Sequence, residues 1–192
     1  MPKKTKEKSR DDEVPASKKL EDLWDMVDEM EIAMLTTRRP DGRLVSRPMQ
    51  VQERTDDGHL WFMAEEDTHK LDEIEHDPHV NLGFYKDRSR EWISISGRAR
   101  LERSRDKVRA LYKPDWKAWL GDEGGTRNGG PDDPRITLID VEAETVEYLK
   151  VDKPRAVVFF QVAKAIVTGA PPDLGSERHV TQREIVQESP LK

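Results

Sequence analysis

Arg47 is the most conspicuous candidate for chemistry in the chain. Alternation over Leu44 to Gln52 puts Val45, Arg47, Met49 and Val51 on one face of a strand, with Leu44, Ser46, Pro48 and Gln50 on the other. A guanidinium among apolar neighbours needs a partner, because an unpaired buried charge is expensive. That partner is either one of the chain's acids, or water at an open barrel mouth, or an anionic ligand gripped by the planar fork of donors. A second half of such a clamp follows the next apolar run. There Glu65-Glu66-Asp67 leads into Thr68-His69-Lys70, so free amides at a helix start, a hydroxyl and an ammonium converge. The plainer reading is an ordinary Asp67 or Thr68 N-cap with a solvated lysine. An arginine in one strand with Thr-x-Lys after the next says more than either alone.

Tryptophan use is unusual, with five Trp against four Phe and three Tyr. Trp24 and Trp61 fit a helix stripe and a strand. Trp92, and the pair Trp116 and Trp119 one helical turn apart, either flank a planar ring or serve as core and subunit-interface aromatics. Other chemistries are poorly served. Residues 121–130 are rich in glycine but lack the Gly-Lys-Ser/Thr ending of a phosphate loop, and no Gly-x-Ser-x-Gly elbow occurs. His69, His76 and His79 match no common metal spacing, and the absence of cysteine removes thiolate ligands, disulfides and a cysteine nucleophile. No metal is expected.

The elements that must position these residues follow from periodicity. After residues 1–16, read as a disordered tail, apolar residues at Leu20, Leu23, Trp24, Val27 and Met30 predict a helix capped at Ser17. Strands are expected at Ile32–Thr37, Leu44–Gln52 and His59–Ala64, joined by two Asp-Gly turns into an antiparallel meander. A short helix over Thr68–His76 ends before Pro78, and His79–Lys86 and Glu91–Glu102 form a further antiparallel pair. Ser104 caps a helix that Pro114 divides ahead of Trp116 and Trp119. Residues 121–134 form a long loop, of the kind that is functional or mobile. A long strand begins near Ile136, residues 155–168 are expected to be a last strand, and the chain from 171 to 192 reads as tail. The result is an α+β, mainly β, class: a small antiparallel barrel with peripheral helices in one domain over residues 17–170.

Composition sets the outer limits. The 192 residues are 34% hydrophobic and 38% charged, and including glycine the apolar fraction is about 40%, below the usual ~45–50%. Either polar tails dilute the core or a second subunit completes it. A net charge of −6 lacks the basic excess of a nucleic-acid binder, and the basic cluster at 3–10 is answered at once by Asp11-Asp12-Glu13. No apolar run approaches a membrane span, and no apolar stretch follows the basic start as in a signal peptide. A cytoplasmic protein without nucleic-acid or membrane partners is expected.

Several ordered segments resemble a known family. Ala33-Met34-Leu35-Thr36-Thr37, Gly42 to Met49 (GRLVSRPM), Leu60-Trp61-Phe62-Met63-Ala64, Trp92 to Ala99 (WISISGRA), Asp115 to Leu120 (DWKAWL), Asp132 to Leu138 (DDPRITL) and Gln161 to Gly169 (QVAKAIVTG) are similar to the split-barrel flavoproteins of the pyridoxamine 5′-phosphate oxidase superfamily, nearest its general stress protein 26 branch. The resemblance implies a six-stranded antiparallel split β-barrel that binds FMN at the interface of a homodimer. By position it implies that Arg47, Pro48 and Met49 meet the phosphate–ribityl side and the ring, that Met63 and Ala64 border the flavin, and that Thr68 and Lys70 bind the phosphate. It places Trp92 where a residue of the second subunit approaches the flavin; Trp116 and Trp119 are candidates for flanking the ring. Haem or a deazaflavin, bound by other branches, stay open. His69 and Leu149 depart from the family pattern, the first beside the phosphate residues, the second in place of a common tryptophan. The C-terminal arginine and histidine pattern of the true oxidases is not recognisable, which leaves oxidation of vitamin B6 without support. The implied activity is a flavin-dependent oxidoreductase with a small-molecule redox partner, or a non-catalytic FMN-binding stress protein.

Overall fold

The computed structural model describes residues 14–151, 155–169 and 175–188; of the expected tail at 1–16, residues 1–13 lie outside them and Ala16 already begins a helix. Helix α1 (Ala16–Met30) starts after Pro15, so Ser17, the expected cap, lies inside its first turn. Its buried stripe of Leu20, Leu23, Trp24 and Val27 packs on a barrel built from β1 (Ile32–Arg38), β2 (Leu44–Arg54), β3 (His59–Glu65), β4 (His79–Lys86), β5 (Glu91–Glu102) and β6 (Ile136–Lys150). Every pairing is antiparallel, in the order β3-β2-β1-β4-β5-β6, and a β3–β6 pairing closes the ring. Helix α2 (His69–His76) follows β3. Helices α3 (Arg105–Leu111) and α4 (Trp116–Leu120) lie between β5 and β6.

Strand β3 shows why the sequence alternates without turning polar. Leu60, Phe62 and Ala64 face the barrel core, whereas Trp61 joins Val108, Trp116, Leu120, Ile136 and Leu138 in a second cluster beneath α3 and α4, against which Met63 packs. Both faces are buried, so both are apolar. In β6 the inward set changes phase, from Ile139, Val141 and Ala143 to Val146 and Tyr148. The register shift between Ser96 and Gly97 supplies the bulge that allows it. Gly97 is required there, since a Cβ would collide with the carbonyl oxygen of Glu142.

Two expectations are corrected. Residues 155–168 form a helix, α5 (Arg155–Thr168), not a strand. Apolar periodicity alone does not separate a buried strand from a helix, but 14 residues is long for a strand, and Gln161, Lys164 and Thr168 recur at helical spacing. The C-terminal segment is not all tail. Strand β7 (Ser176–Thr181) pairs with β6 from Thr145↔Thr181 to Lys150↔Ser176, and α6 (Gln182–Glu188) buries Ile185. The strand reads as polar because its inward positions include Arg178. Asp22 of α1 takes that charge, and Lys150 binds the same carboxylate at 2.5 Å.

Candidate functional site

A cavity of about 300 Å³ opens where β2 and the end of β3 meet the start of α2 and the short helix α4. Pro48, Met49, Met63, Ala64, Thr68, Lys70, Trp116 and Trp119 line it together, with Gln50, Gln52, Glu65, Asp115 and Leu120. Eight of the ten residues singled out from sequence therefore converge. The other two do not. Arg47 is absent from the lining, and Trp92 belongs to a separate 140 Å³ cavity with Glu147, Glu177, Arg178 and His179.

The polar end of the cavity begins at the turn after β3. Thr68 precedes α2 in an extended conformation, yet its hydroxyl does not cap the helix; it donates to the carbonyl of Glu65 at 2.6 Å. Lys70 Nζ donates to the same hydroxyl oxygen at 2.9 Å. The ammonium is half-buried, and among the described residues no carboxylate lies within ion-pairing distance of it. Burial, and then the charge of Arg47, push the Lys70 pKa below its ordinary value, against a weaker pull from Glu65 and Glu73. His69, the neighbouring departure from the family pattern, has its side chain wholly in solvent, away from the cavity.

Arg47 has found the acid that the plainer reading asked for. Its Nη2 donates to Glu73 Oε2 at 2.7 Å and its Nη1 to the hydroxyl of Thr37, which itself donates to Glu73 at 2.5 Å. Burial raises the proton affinity of Glu73, but the bonds from Thr37 and Arg47 outweigh it and hold the carboxyl below its usual range. The arginine is thus fixed in direction and still acts on Lys70 through its charge. Glu73 was not foreseen; its place one turn beyond Lys70, on a helix facing β1, is the signal that would have found it.

The apolar wall rests on α4. Trp116 is buried, donates from Nε1 to Gln52 Oε1 at 3.0 Å, and meets Tyr112 edge to face at 5.6 Å. Trp119 remains 80% exposed at the rim. The loop at 121–134 behind them is anchored, not loose. Fully buried Arg135 donates to the carbonyls of Leu120 at 2.7 Å, Gly121 at 3.1 Å and Arg127 at 3.2 Å, and to Asp133 and Glu123. Those bonds from Arg135, set against burial, hold the Asp133 carboxyl far below the ordinary carboxylate range. Residues 132–135 look like turn filler in the sequence, and nothing in their spacing marks an ion pair that closes a loop.

The barrel and its cavity define a split-barrel protein, and residues 18–173 match the family described as pyridoxamine 5′-phosphate oxidase like; the chain belongs to that family. It is 34% identical over 183 residues to Protein bli-3 of Neurospora crassa, covering 94% of this chain and 88% of the relative. A solved protein of Clostridium acetobutylicum related to general stress protein 26 superposes with a TM-score of 0.65 at 16% identity, over 88% of this chain and 98% of its own. The general stress FMN/FAD binding protein of Xanthomonas citri does so with a TM-score of 0.56 at 26% identity, over 68% and 88%.

Proposed function

We propose that this chain binds FMN in the cavity beside Lys70, as the cofactor of a homodimeric, general-stress-type flavin oxidoreductase. One observation carries the reading: among the described residues no carboxylate lies within ion-pairing distance of this half-buried ammonium, whose charged form is already disfavoured, and it sits at one end of a cavity that Met49, Met63, Trp116 and Leu120 wall on its apolar side. A phosphate is the counterion such a site lacks. The family membership and the FMN/FAD binding named for the Xanthomonas citri protein support the same ligand.

The residues present fit the group. Lys70 and Thr68 hold the terminal phosphate, with Arg47 adding its charge from the position that Glu73 and Thr37 fix. Pro48, Met49, Met63 and Ala64 border the flat ring, and Trp116, locked by Gln52, walls it. Bound FMN supplies hydride and single-electron transfer. The protein's part is to orient the ring, exclude water from its buried side and leave one approach open. Arg135 makes the loop behind α4 a fixed wall, so access runs past the exposed Trp119, where a small redox partner can stack. That open rim favours turnover over a sealed store. Trp92, remote from the cavity of its own chain, completes the site from a second copy.

Flavin fluorescence titrated against wild type, Arg47→Ala and Lys3→Ala tests the assignment. Arg47→Ala should bind FMN at least about tenfold more weakly, because it removes a positive charge that acts on Lys70 and strands Glu73 close to the cavity, and Lys3→Ala should not change. Equal affinities for all three sink it. Bleaching of the bound flavin by NADH or NADPH without oxygen, against free flavin, then separates an oxidoreductase from a binding protein.

A further inference from the structure

Two carboxylates line the cavity, and only one of them has a cation. Glu65 lies 3.9 Å from Nη1 of Arg135. Asp115 is exposed and, among the described residues, makes no hydrogen bond and no ion pair through its side chain. It stands directly ahead of α4, where an aspartate commonly caps, yet its carboxylate bonds no helix amide. The lysines two residues to either side are engaged elsewhere. Lys113 donates to the carbonyl of Gln52 at 3.1 Å, and Lys117 pairs with Asp122 at 3.6 Å. The carboxylate of Asp115 therefore has no structural use, and the residue that carries it lines the cavity.

Trp119 follows one helical turn later, so the two side chains share one side of α4. Its indole is 80% exposed and lines the same cavity. Other tryptophans of this chain have their rings engaged. Arg54 lies 5.2 Å over Trp24, Lys107 lies 4.3 Å over Trp61, and Trp116 meets Tyr112 edge to face. Among the described residues Trp119 has neither a cation nor an aromatic ring against it. A bare indole face attracts a flat ring, and attracts it more strongly when that ring is positively charged. The carboxylate beside it selects the same sign.

We propose that Asp115 and Trp119 form a recognition site for a flat organic cation, an aromatic ring bearing a fixed positive charge, as the small molecule that docks at the cavity rim; this rests on the flavin-site reading for what the cation docks against. The ring stacks on the indole while Asp115 answers its charge. A neutral ring gains the stacking alone, and an anionic ring meets repulsion. Bound FMN sharpens the choice. Lys70 is the only basic residue of the lining, and a phosphate beside it takes up its charge, so Asp115 is left unopposed. Selection by sign of charge suits an open rim, which cannot select by enclosing its ligand.

Three probes of nearly equal shape test it: 1-methylnicotinamide, nicotinamide and nicotinate, which carry a positive charge, none and a negative charge. Each is titrated into the full chain, with and without FMN, and binding is followed by ligand-observed NMR. The cation should bind about three- to tenfold more tightly than the neutral ring at low ionic strength, and the anion most weakly. The differences should shrink as salt is added. Asp115→Asn should abolish the preference for the cation and keep the affinity for nicotinamide, whereas Trp119→Ala should weaken binding of the cation and of the neutral ring. Asp122→Asn removes a nearby carboxylate that already has its lysine, and should leave the order unchanged. All three positions are exposed, so the variants should keep the circular dichroism of wild type. No binding by wild type, no preference for the cation, a preference that survives Asp115→Asn or is lost in Asp122→Asn, or undiminished binding by Trp119→Ala overturns the proposal. A chain that binds FMN but shows no charge preference refutes the rim alone. One that binds no FMN yet keeps the Asp115-dependent preference refutes the cofactor reading and leaves the rim standing.

Discussion

Replacing Lys70 by glutamine removes one charge from the cavity and little volume. In the free protein that charge is a liability: it is half-buried, burial and Arg47 lower its proton affinity more than Glu65 and Glu73 raise it, and among the described residues no carboxylate is within ion-pairing distance. On binding a phosphomonoester the liability becomes a charge-assisted contact, contributing about 1.5–3 kcal/mol, so Lys70→Gln should weaken FMN by about 10- to 150-fold. The apo variant should be no less stable than wild type. This opposition gives two pH slopes of contrary sign. The folded pKa of Lys70 lies below its ordinary 10.5, so in the window between them the unfolded chain holds the proton that the folded chain has released. Apo stability therefore rises as pH climbs through the folded pKa, with the gain complete at about the unfolded value. A bound phosphate reverses the preference and draws the proton back, so FMN affinity falls over the same interval.

The assay is flavin fluorescence titration from neutral pH upward, paired with urea unfolding of the apo protein at each pH. Lys70→Gln controls for every other group that titrates, the flavin included. Both slopes should flatten in the variant. If it binds FMN within about twofold of wild type, or keeps the same pH dependence, Lys70 is not the phosphate's counterion and the argument fails.

Arg135→Gln leaves Asp133 buried without its partner and frees three loop carbonyls, so it should cost about 3–5 kcal/mol in urea unfolding. Flavin affinity should drop with it, because α4 loses its anchor; undiminished affinity would detach the loop from the site. Asp22, with its pKa lowered to about 2 from 3.8, should contribute stability that is full above 3.8 and lost as pH falls toward 2. Burial opposes that shift, and the bonds from Lys150 and Arg178 outweigh it. Asp22→Asn should therefore flatten the acid limb of the unfolding curve; an unchanged limb would show that β7 is held by other contacts.

Periodicity reached the barrel because each of its strands pairs with sequence neighbours or encloses one core. It failed in the last third of the chain for two separate reasons. In α5 the apolar run has no full polar face to give the helix away, since that helix exposes its apolar sides in the single chain. In β7 the inward positions are Arg178 and Val180, and an inward arginine reads as solvent-facing until Asp22, 156 residues earlier, is known to receive it. Pairing between distant charges leaves no trace in local spacing. The same blindness applies to Arg47 and Glu73, and to Arg135, whose bonds fall on backbone carbonyls that carry no sequence signature at all.

The site residues divide along the same line. Pro48, Met49, Met63, Ala64, Thr68 and Lys70 line one cavity because two adjacent strands and the turn that follows them bring them together over a short stretch of chain; Thr68 and Lys70 stood out by residue type, and the other four only through the family resemblance. Arg47 was legible as an anomaly but its use was not, since a guanidinium in a strand is equally served by a carboxylate or a phosphate. The structure shows why the choice is not exclusive. Nη1 donates to Thr37 and Nη2 to Glu73, and that engagement sets the arginine's direction while its charge still lowers the proton affinity of Lys70. Glu73 thereby acts on the site twice: it neutralises one cation so that two need not repel at full strength, and, bonded to Arg47, it offers Lys70 only a weak long-range pull and no ion pair. A phosphate entering beside Lys70 meets one compensated and one uncompensated positive charge. On this arrangement Arg47→Ala weakens binding by removing the longer-range charge and also strands a buried carboxylate. Glu73→Gln should do the reverse, freeing Arg47 and tightening FMN; looser binding by that variant, with the fold intact, would mean that Arg47 needs its carboxylate to be aimed at the cavity.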